Sequence, residues 1–422
     1  MLAPLLMGAC ACGSASSATP PALRFHVAPM QGFTNSHLRF FLRELSQSAV
    51  LWTEMEKADD LLISEEALVR RFIGSDHQSP VVLQLGGSDP QKLWKATAAA
   101  IALFDFDEIN LNCGCPTVQS GLAPYGAALM LQPKLACECL SAIRDAAGGR
   151  VVSVKCRVNA HQELNGEGQI PDDSFEALDD FVRIACEGAG ASHVILHARS
   201  AVLTLSPLKN RQVPPLRPQW ASMLASSYPH LRITLNGGIG GPDDLMAAAS
   251  DAVLTGLDGL MAGRWILRDP FALIDVERML SEDPNLHNRG ELDTARHAAF
   301  ALRAYGAYAE RQIDSRQFAS AELAQPLLLA LDALADRADV DEDARKACGS
   351  SLSWTDSGVE VVKEALWDVI FMLSRSRRTR GVDEVYNGGG MSLRQLQKAL
   401  TRIAGSKVAR KARRNRTEAL SC

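Results

Sequence analysis

Phe104-Asp105-Phe106-Asp107-Glu108-Ile109-Asn110-Leu111-Asn112-Cys113-Gly114-Cys115-Pro116 is the stretch on which the fold of this 422-residue chain turns. An apolar, strand-like run from Phe104 to Leu111 gives way to Asn112, and Gly114 opens a turn that carries Cys115. A cysteine inside the strand would only pack, whereas one in the turn can meet a substrate. An ordinary thiol keeps its proton at neutral pH, which suits proton donation at least as well as nucleophilic attack. A lone cysteine is more often a small buried hydrophobe, so its neighbours decide.

Outward from this run, β-rich apolar segments recur with helix-length stretches between most of them. They are Phe25–Ala28, Ala49–Trp52, Val81–Leu85, Glu108–Leu111, Val151–Lys155, His193–His197, Arg232–Leu235 and Gly259–Ala262. Near-continuous apolar runs predict strands covered on both faces, as in a parallel sheet. Eight β/α units in about 250 residues have the dimensions of a TIM (β/α)8 barrel. A doubly wound open sheet is the alternative, but no G-x-G-x-x-G follows the first strand. Two polar stretches, Asn159–Asp173 and Leu203–Pro218, predict long loops after strands five and six. Loops of that length are often functional.

From about Glu291 the pattern changes to Ala- and Leu-rich helical periodicity, interrupted by Asn387-Gly388-Gly389-Gly390. The expected organisation is a disordered leader (1–22), a catalytic barrel (23–285), a helical domain (286–405) and a basic tail (406–422). Arg375, Arg377, Arg378 and Arg380 form one basic cluster; Lys407, Arg410, Lys411, Arg413, Arg414 and Arg416 form another. The net charge of −5 argues mildly against a nucleic-acid binder but leaves room for a local basic face. No apolar run reaches the roughly 18 residues of a membrane span. The ten cysteines lack zinc-ribbon or C-x-x-C spacing, so reduced thiols in an intracellular compartment are expected, with no metal. The leader has no Lys or Arg before Arg24, unlike most targeting peptides. The cytoplasm is expected, or a mitochondrion or plastid if the leader is a transit peptide.

In a barrel, residues at the C-terminal ends of the strands converge on one face. Here those positions are polar or glycine in unit after unit: Pro29-Met30-Gln31-Gly32, Gln84, Asn112 with Cys115, Lys155 with Arg157, His197 with Arg199, Asn236-Gly237-Gly238 and Gly263-Arg264. Each alone could be a core amide, a core histidine, a snorkelling lysine or a plain turn; their common placement argues for a site. Glycine turns let backbone N–H groups approach a phosphate, and Arg264 adds charge-assisted bonds. Lys155 would stabilise negative charge near N1 of a flavin, and Gln84 would hydrogen-bond the pyrimidine edge. The set describes an FMN site with Cys115 facing the ring.

The motifs, in order, are Val27-Ala28-Pro29-Met30, Thr53-Glu54-Met55, Gln84-Leu85-Gly86-Gly87, Glu108-Ile109-Asn110-Leu111-Asn112, Gly114-Cys115-Pro116, Gly126-Ala127 with Leu129-Met130, Lys155, His197-Ala198-Arg199, Asn236-Gly237-Gly238 and Gly263-Arg264. With them, the chain from about Arg24 to Asp269 resembles the tRNA-dihydrouridine synthases. Leu205-Ser206-Pro207, Asn210-Arg211 and Pro214-Pro215-Leu216 resemble the A branch, which modifies uridines near position 20 of the tRNA D-loop. The resemblance implies that NADPH reduces FMN, that hydride passes to C6 of uracil, and that Cys115 donates a proton to C5. It implies flavin contacts at Pro29, Met30, Gln31, Gln84, Lys155, His197, Asn236, Gly237, Gly238, Gly263 and Arg264. It implies tRNA contacts at Asn112 (on the uracil), Arg199, Lys209 and Arg211. The base must be turned out of the D-loop. Departures fall away from the flavin: Leu208 occupies the usual lysine position of the Ser-Pro-Lys-Glu-Asn-Arg run, with Lys209 one residue later. Ser200 follows His-Ala-Arg, and Ala128 replaces a cysteine.

Two other functions compete. A flavin barrel acting on a small pyrimidine or enone would need neither the helical region nor a basic tail. A non-catalytic RNA-binding protein on a relict barrel would not need Cys115, Lys155 and Arg264 together. A monomer acting on tRNA, without membrane or metal, is the expectation.

Overall fold

In the computed structural model, the described residues are 23–74, 77–116, 125–212, 214–281, 290–315, 318, 320–338, 356–376 and 392–404. Eight parallel strands form its centre: β1 (Arg24–Val27), β2 (Leu51–Lys57), β3 (Val81–Gly86), β4 (Glu108–Cys113), β5 (Val151–Arg157), β6 (His193–His197), β7 (Arg232–Asn236) and β8 (Gly259–Ala262). Their order is β1-β8-β7-β6-β5-β4-β3-β2, each pair parallel. A parallel bridge between His26 and Val50 joins the outer edges. Val27 N donates to Val50 O at 2.9 Å and Val50 N to Phe25 O at 2.8 Å, so the sheet closes on itself. The TIM-barrel expectation holds, with every expected strand present. The second starts at Leu51 rather than Ala49, because Val50 bonds to β1, while Ala49 bonds to Ser46 and Arg43, and neither extends the ladder with β3.

The strands are not apolar throughout. Outward residues such as Leu83, Ile109, Leu111, Val154, Leu196 and Leu235 pack under the helices as one continuous core. Inward residues make a separate, small apolar cluster of Ala28, Val50, Trp52, Val82, Ile195 and Met261. The rest of the interior is polar: Glu108, Asn110 and Asn112 on β4, Ser153, Lys155 and Arg157 on β5, and His193, Thr234 and Asn236 beyond, all buried. Period-2 alternation places these groups on one face. Burying them without partners would cost several kcal/mol each, so the barrel interior must be a hydrogen-bond network.

The surrounding helices begin where the sequence supplies caps. Asp89 accepts from Gln91 N and Lys92 N ahead of Pro90–Leu103. Asn35 accepts from Leu38 N ahead of Ser36–Leu45, and Ser174 from Ala177 N ahead of Phe175–Phe181. The stretch Asn159–Asp173 is a loop as expected, except that Ala160–His161 pairs with Ala201–Val202 as a short parallel ribbon. Leu203–Pro218 contains one helical turn, Lys209–Gln212.

The periodicity from Glu291 becomes helices Glu291–Asp314, Gln325–Ala338, Asp356–Ser376 and Leu393–Ala404. The first two dock on helix Ser36–Leu45, and the other two pack on them. Tyr308 stacks on Phe40 with ring centroids 4.1 Å apart, and its hydroxyl lies 2.9 Å from His37 Nδ1. Arg337 reaches Asp269 at 2.8 Å at the barrel's edge. The leader, the basic tail, the Asn387–Gly390 turn and every basic-cluster residue except Arg375 lie outside the described residues. Among the described residues no helix is long and apolar enough to cross a membrane.

Candidate active site

The residues expected at the site lie toward or beyond the C-terminal ends of their strands, except Gln84, which is fully buried in the middle of β3. Cys115 follows β4 in a turn fixed at three points. Asn112 Oδ1 accepts from Gly114 N at 3.1 Å and from Cys115 N at 3.0 Å. The Cys115 carbonyl accepts from Ala127 N at 2.8 Å. A Cβ on Gly126 would fall 2.6 Å from that carbonyl, and Gly126 has φ +70°, so glycine is required on both counts. This explains the Gly-Ala motif: it is the seat for the cysteine turn. Cys115 is half-buried and lies within electrostatic reach of Lys155, Arg157 and Tyr125.

Asn112 is itself held by a ladder of amides. Its Nδ2 donates to Gln84 Oε1 at 2.8 Å, and Gln84 Nε2 donates to Asn110 Oδ1 at 2.9 Å. Asn110 Nδ2 lies 2.8 Å from Ser153 Oγ; turned over, its oxygen would accept from the same hydroxyl. Thr53 Oγ1 accepts from Gln84 N at 3.0 Å, next to an irregularity in the β2–β3 register, which gives the Thr-Glu-Met motif a structural task. Below the ladder, Glu108 receives His193 Nδ1 at 3.0 Å and Arg232 at 3.0 Å. Burial alone would raise the Glu108 carboxyl, but His193, Ser153 and Arg232 outweigh it and hold it at about 2.

Lys155 stands in register with Asn112 across β4 and β5. Its Nζ donates to Asn236 Oδ1 at 2.9 Å, and Asn236 Nδ2 donates to Met261 O at 2.9 Å. Burial, and then the Arg157 guanidinium, lowers the lysine to about 7. Burial and the cations Arg157, Lys155, Arg199 and Arg264 push His197 well below the usual imidazole range. The rim therefore concentrates positive charge and a neutral imidazole, as an anionic ring system with a phosphate would require.

The glycines give this rim its shape. Gly237 and Gly238 have φ +104° and +84°, and a Cβ on Gly237 would meet His197 Cδ2 at 2.9 Å. A Cβ on Gly263 would meet Met30 Sδ at 2.9 Å. Side chains there would fill the cradle beside Arg264. A buried ammonium with an amide partner, a glycine cradle and a nearby arginine fit the flavin and phosphate of FMN.

The expected RNA contacts divide. Arg199 Nη1 donates to Pro214 O. Arg199 and Arg211 lie within electrostatic reach of Arg157, while Lys209 is exposed on its helical turn. Arg157 is the residue the motif reading under-weighted. Buried, it donates to Gly114 O at 3.0 Å and to Ser200 O at 3.2 Å, tying the cysteine turn to the loop after β6. Asn210 likewise staples its loop, bonding Val202 N, Val202 O and Leu205 O at 2.7, 2.9 and 2.9 Å. The signal for Arg157 was the alternation Ser153, Lys155, Arg157 on one strand face. Asn210 carried no signal beyond its motif.

At the opposite end of the barrel, ligand atoms of His26, His193 and Asp258 lie within 4.8 Å of one another. Trp52 Nε1 donates to His26 Nδ1 at 3.2 Å. That places the ring proton on His26 Nε2, which is then unavailable to a metal ion.

The fold and rim thus define a TIM barrel whose strand ends gather a cysteine turn, a buried lysine and a glycine-lined edge. The family model described as Dihydrouridine synthase (Dus) matches residues 26–312. The chain is 40% identical over 302 residues to tRNA-dihydrouridine(20/20a) synthase of Xanthomonas campestris pv. campestris, covering 70% of this chain and 81% of that one. It is 36% identical over 304 residues to the protein of that name from Escherichia coli O6:H1, covering 69% and 81%. Among solved structures, morphinone reductase superposes with a TM-score of 0.41 at 12% identity, covering 63% of this chain and 89% of that one. The chain belongs to the dihydrouridine synthase family.

Proposed function

We propose that this protein reduces uridine to 5,6-dihydrouridine in the D-loop of tRNA, at or near position 20/20a, with bound FMN and with NADPH as reductant. The observation that carries the reading is the position of Cys115. Its turn is pinned to Asn112 and Ala127, on the rim that also carries the buried Lys155 and the glycine turns. Family membership and the names of the relatives support the same substrate and position.

Reduced FMN, when bound, supplies the hydride that adds to C6 of the uracil. Cys115 gives the proton to C5, from the other face of the ring. Asn112 fixes the uracil: its Oδ1 is committed to two backbone N–H groups and one Nδ2 N–H to Gln84, so the second Nδ2 N–H is the group left to meet a carbonyl. Lys155 and Gln84 hold the ring edge of the cofactor, with Asn236 orienting the lysine. Gly237, Gly238, Gly263 and Arg264 take the phosphate. Pro29, Met30, Gln31 and His197 line the remaining walls.

Arg199, Lys209 and Arg211 contact the RNA backbone. Residues 23–285 act as the catalytic barrel and 286–405 as the tRNA-binding region of a monomeric, intracellular enzyme. Mapping dihydrouridine in cellular tRNA with and without this protein tests the reading. Loss at position 20 or 20a supports it; an unchanged pattern, with no paralogue acting there, contradicts it.

A further inference from the structure

The turn after β1 carries three of the residues assigned to the cofactor, yet part of its support comes from outside the barrel. Within the turn, Phe33 N and Thr34 N both donate to Met30 O at 3.0 Å, and Met30 N donates to Thr34 Oγ1 at 3.0 Å. Gly32, at φ +79°, turns its carbonyl outward. There Gln325, at the start of helix Gln325–Ala338, donates its Nε2 to Gly32 O at 2.8 Å. Its Oε1 faces Asn35 Nδ2 at 3.3 Å. Asn35 caps helix Ser36–Leu45, on which the helical region docks. Met30 packs against Gly263, so a shift of the turn moves a wall of the cradle.

We propose that Gln325 is a positioning residue for the cofactor site: the helical region sets the Pro29–Thr34 turn through the Gln325–Gly32 bond, so FMN is held by both parts of the chain. The inference rests on the FMN reading above. One amide side chain bridges the turn and the helix cap, so barrel and helical region cannot separate without releasing the turn. A hydrogen bond of this kind has an effect of about fivefold on an equilibrium.

FMN affinity of the flavin-free protein, measured by quenching of flavin fluorescence, tests this without relying on turnover. Gln325→Ala removes both bonds. Gln325→Glu keeps an acceptor for Asn35 but no longer donates to Gly32 O. Both are expected to weaken FMN binding about fivefold, with a shift of the bound flavin's visible band and little change in melting of the flavin-free protein. Arg70→Ala, which removes the exposed Arg70–Glu322 pair at the same junction, is expected to bind FMN like the wild type. Wild-type FMN affinity in Gln325→Glu would overturn the inference, as would an equal loss in Arg70→Ala. A wild-type protein with no affinity for FMN would overturn the functional reading itself, a separate and recognisable result.

Discussion

Lys155 Nζ and Asn236 Oδ1 meet at 2.9 Å inside the barrel, a buried ammonium held by a neutral amide. The arrangement is costly in the flavin-free protein and useful once an anion is present. Burial, with Arg157 nearby, lowers Lys155 from 10.5 to about 7. Between those two values the unfolded chain binds the proton more strongly than the folded chain. Stability from this group therefore rises with pH across the window, and the penalty is fully present below pH 7. Flavin-free Lys155→Met is expected to melt above the wild type at pH 6, the difference shrinking toward pH 10. FMN affinity should run the opposite way, falling in the wild type as pH rises past 7, because binding of the anion then has to draw a proton onto Lys155. Calorimetry and flavin titration across pH 6–10 check both signs.

The Cys115 thiol, the proposed proton donor, takes no part in seating its turn. The residue's backbone, not its side chain, makes the bonds that seat the turn. Cys115→Ala is expected to retain bound flavin and its NADPH-dependent reduction while uridine reduction falls roughly 100- to 10,000-fold, the range for loss of a positioned acid. Separate stopped-flow measurements of flavin reduction and of reoxidation by tRNA distinguish the two steps.

Gly263 tests the cradle. An added Cβ would sit 2.9 Å from Met30 Sδ and 3.2 Å from Ala28 Cβ, so Met30, one of the residues assigned to the cofactor, must shift. Overpacking of this kind costs about 1–3 kcal/mol. Gly263→Ala should therefore destabilise the flavin-free protein by about that amount and, through the displaced Met30, weaken FMN binding about tenfold. Gly263→Ser should behave alike.

Arg337 joins the helical region to the barrel's edge, 2.8 Å from Asp269 and 3.7 Å from Asp275, with both Arg337 and Asp275 buried. Burial raises the Asp275 carboxyl to about 6 despite the arginine. Arg337→Met takes this partner from Asp269 and leaves Asp275 with Arg278 alone, 3.3 Å away, and should cost about 3 kcal/mol, read by urea denaturation at pH 8. The loss should be smaller at pH 5, where Asp275 takes up a proton.

The barrel was legible because Leu83, Ile109, Leu111, Val154 and Leu196 face the helices, and their apolar spacing survives any reading of the runs. The interior was not. Treating the strands as apolar throughout hid the alternation Glu108, Asn110, Asn112 on β4 and Ser153, Lys155, Arg157 on β5. That alternation builds the amide ladder beneath the cysteine turn. The motif residues split for the same reason. Lys155, Gln84 and the glycine pair could be assigned from their own chemistry. Thr53 acts through Gln84, distant in sequence, and Gly126 through the Cys115 turn, which no local pattern reveals. Gln325 lies 293 residues from Gly32 and belongs to no motif.

The most direct measurement incubates the purified, flavin-loaded protein with NADPH and an unmodified tRNA transcript, then maps dihydrouridine along the product. Dihydrouridine at position 20 or 20a, absent with Cys115→Ala, is the expected result. Flavin that is reduced by NADPH but transfers nothing to tRNA, or product that forms equally well without the Cys115 thiol, would contradict it.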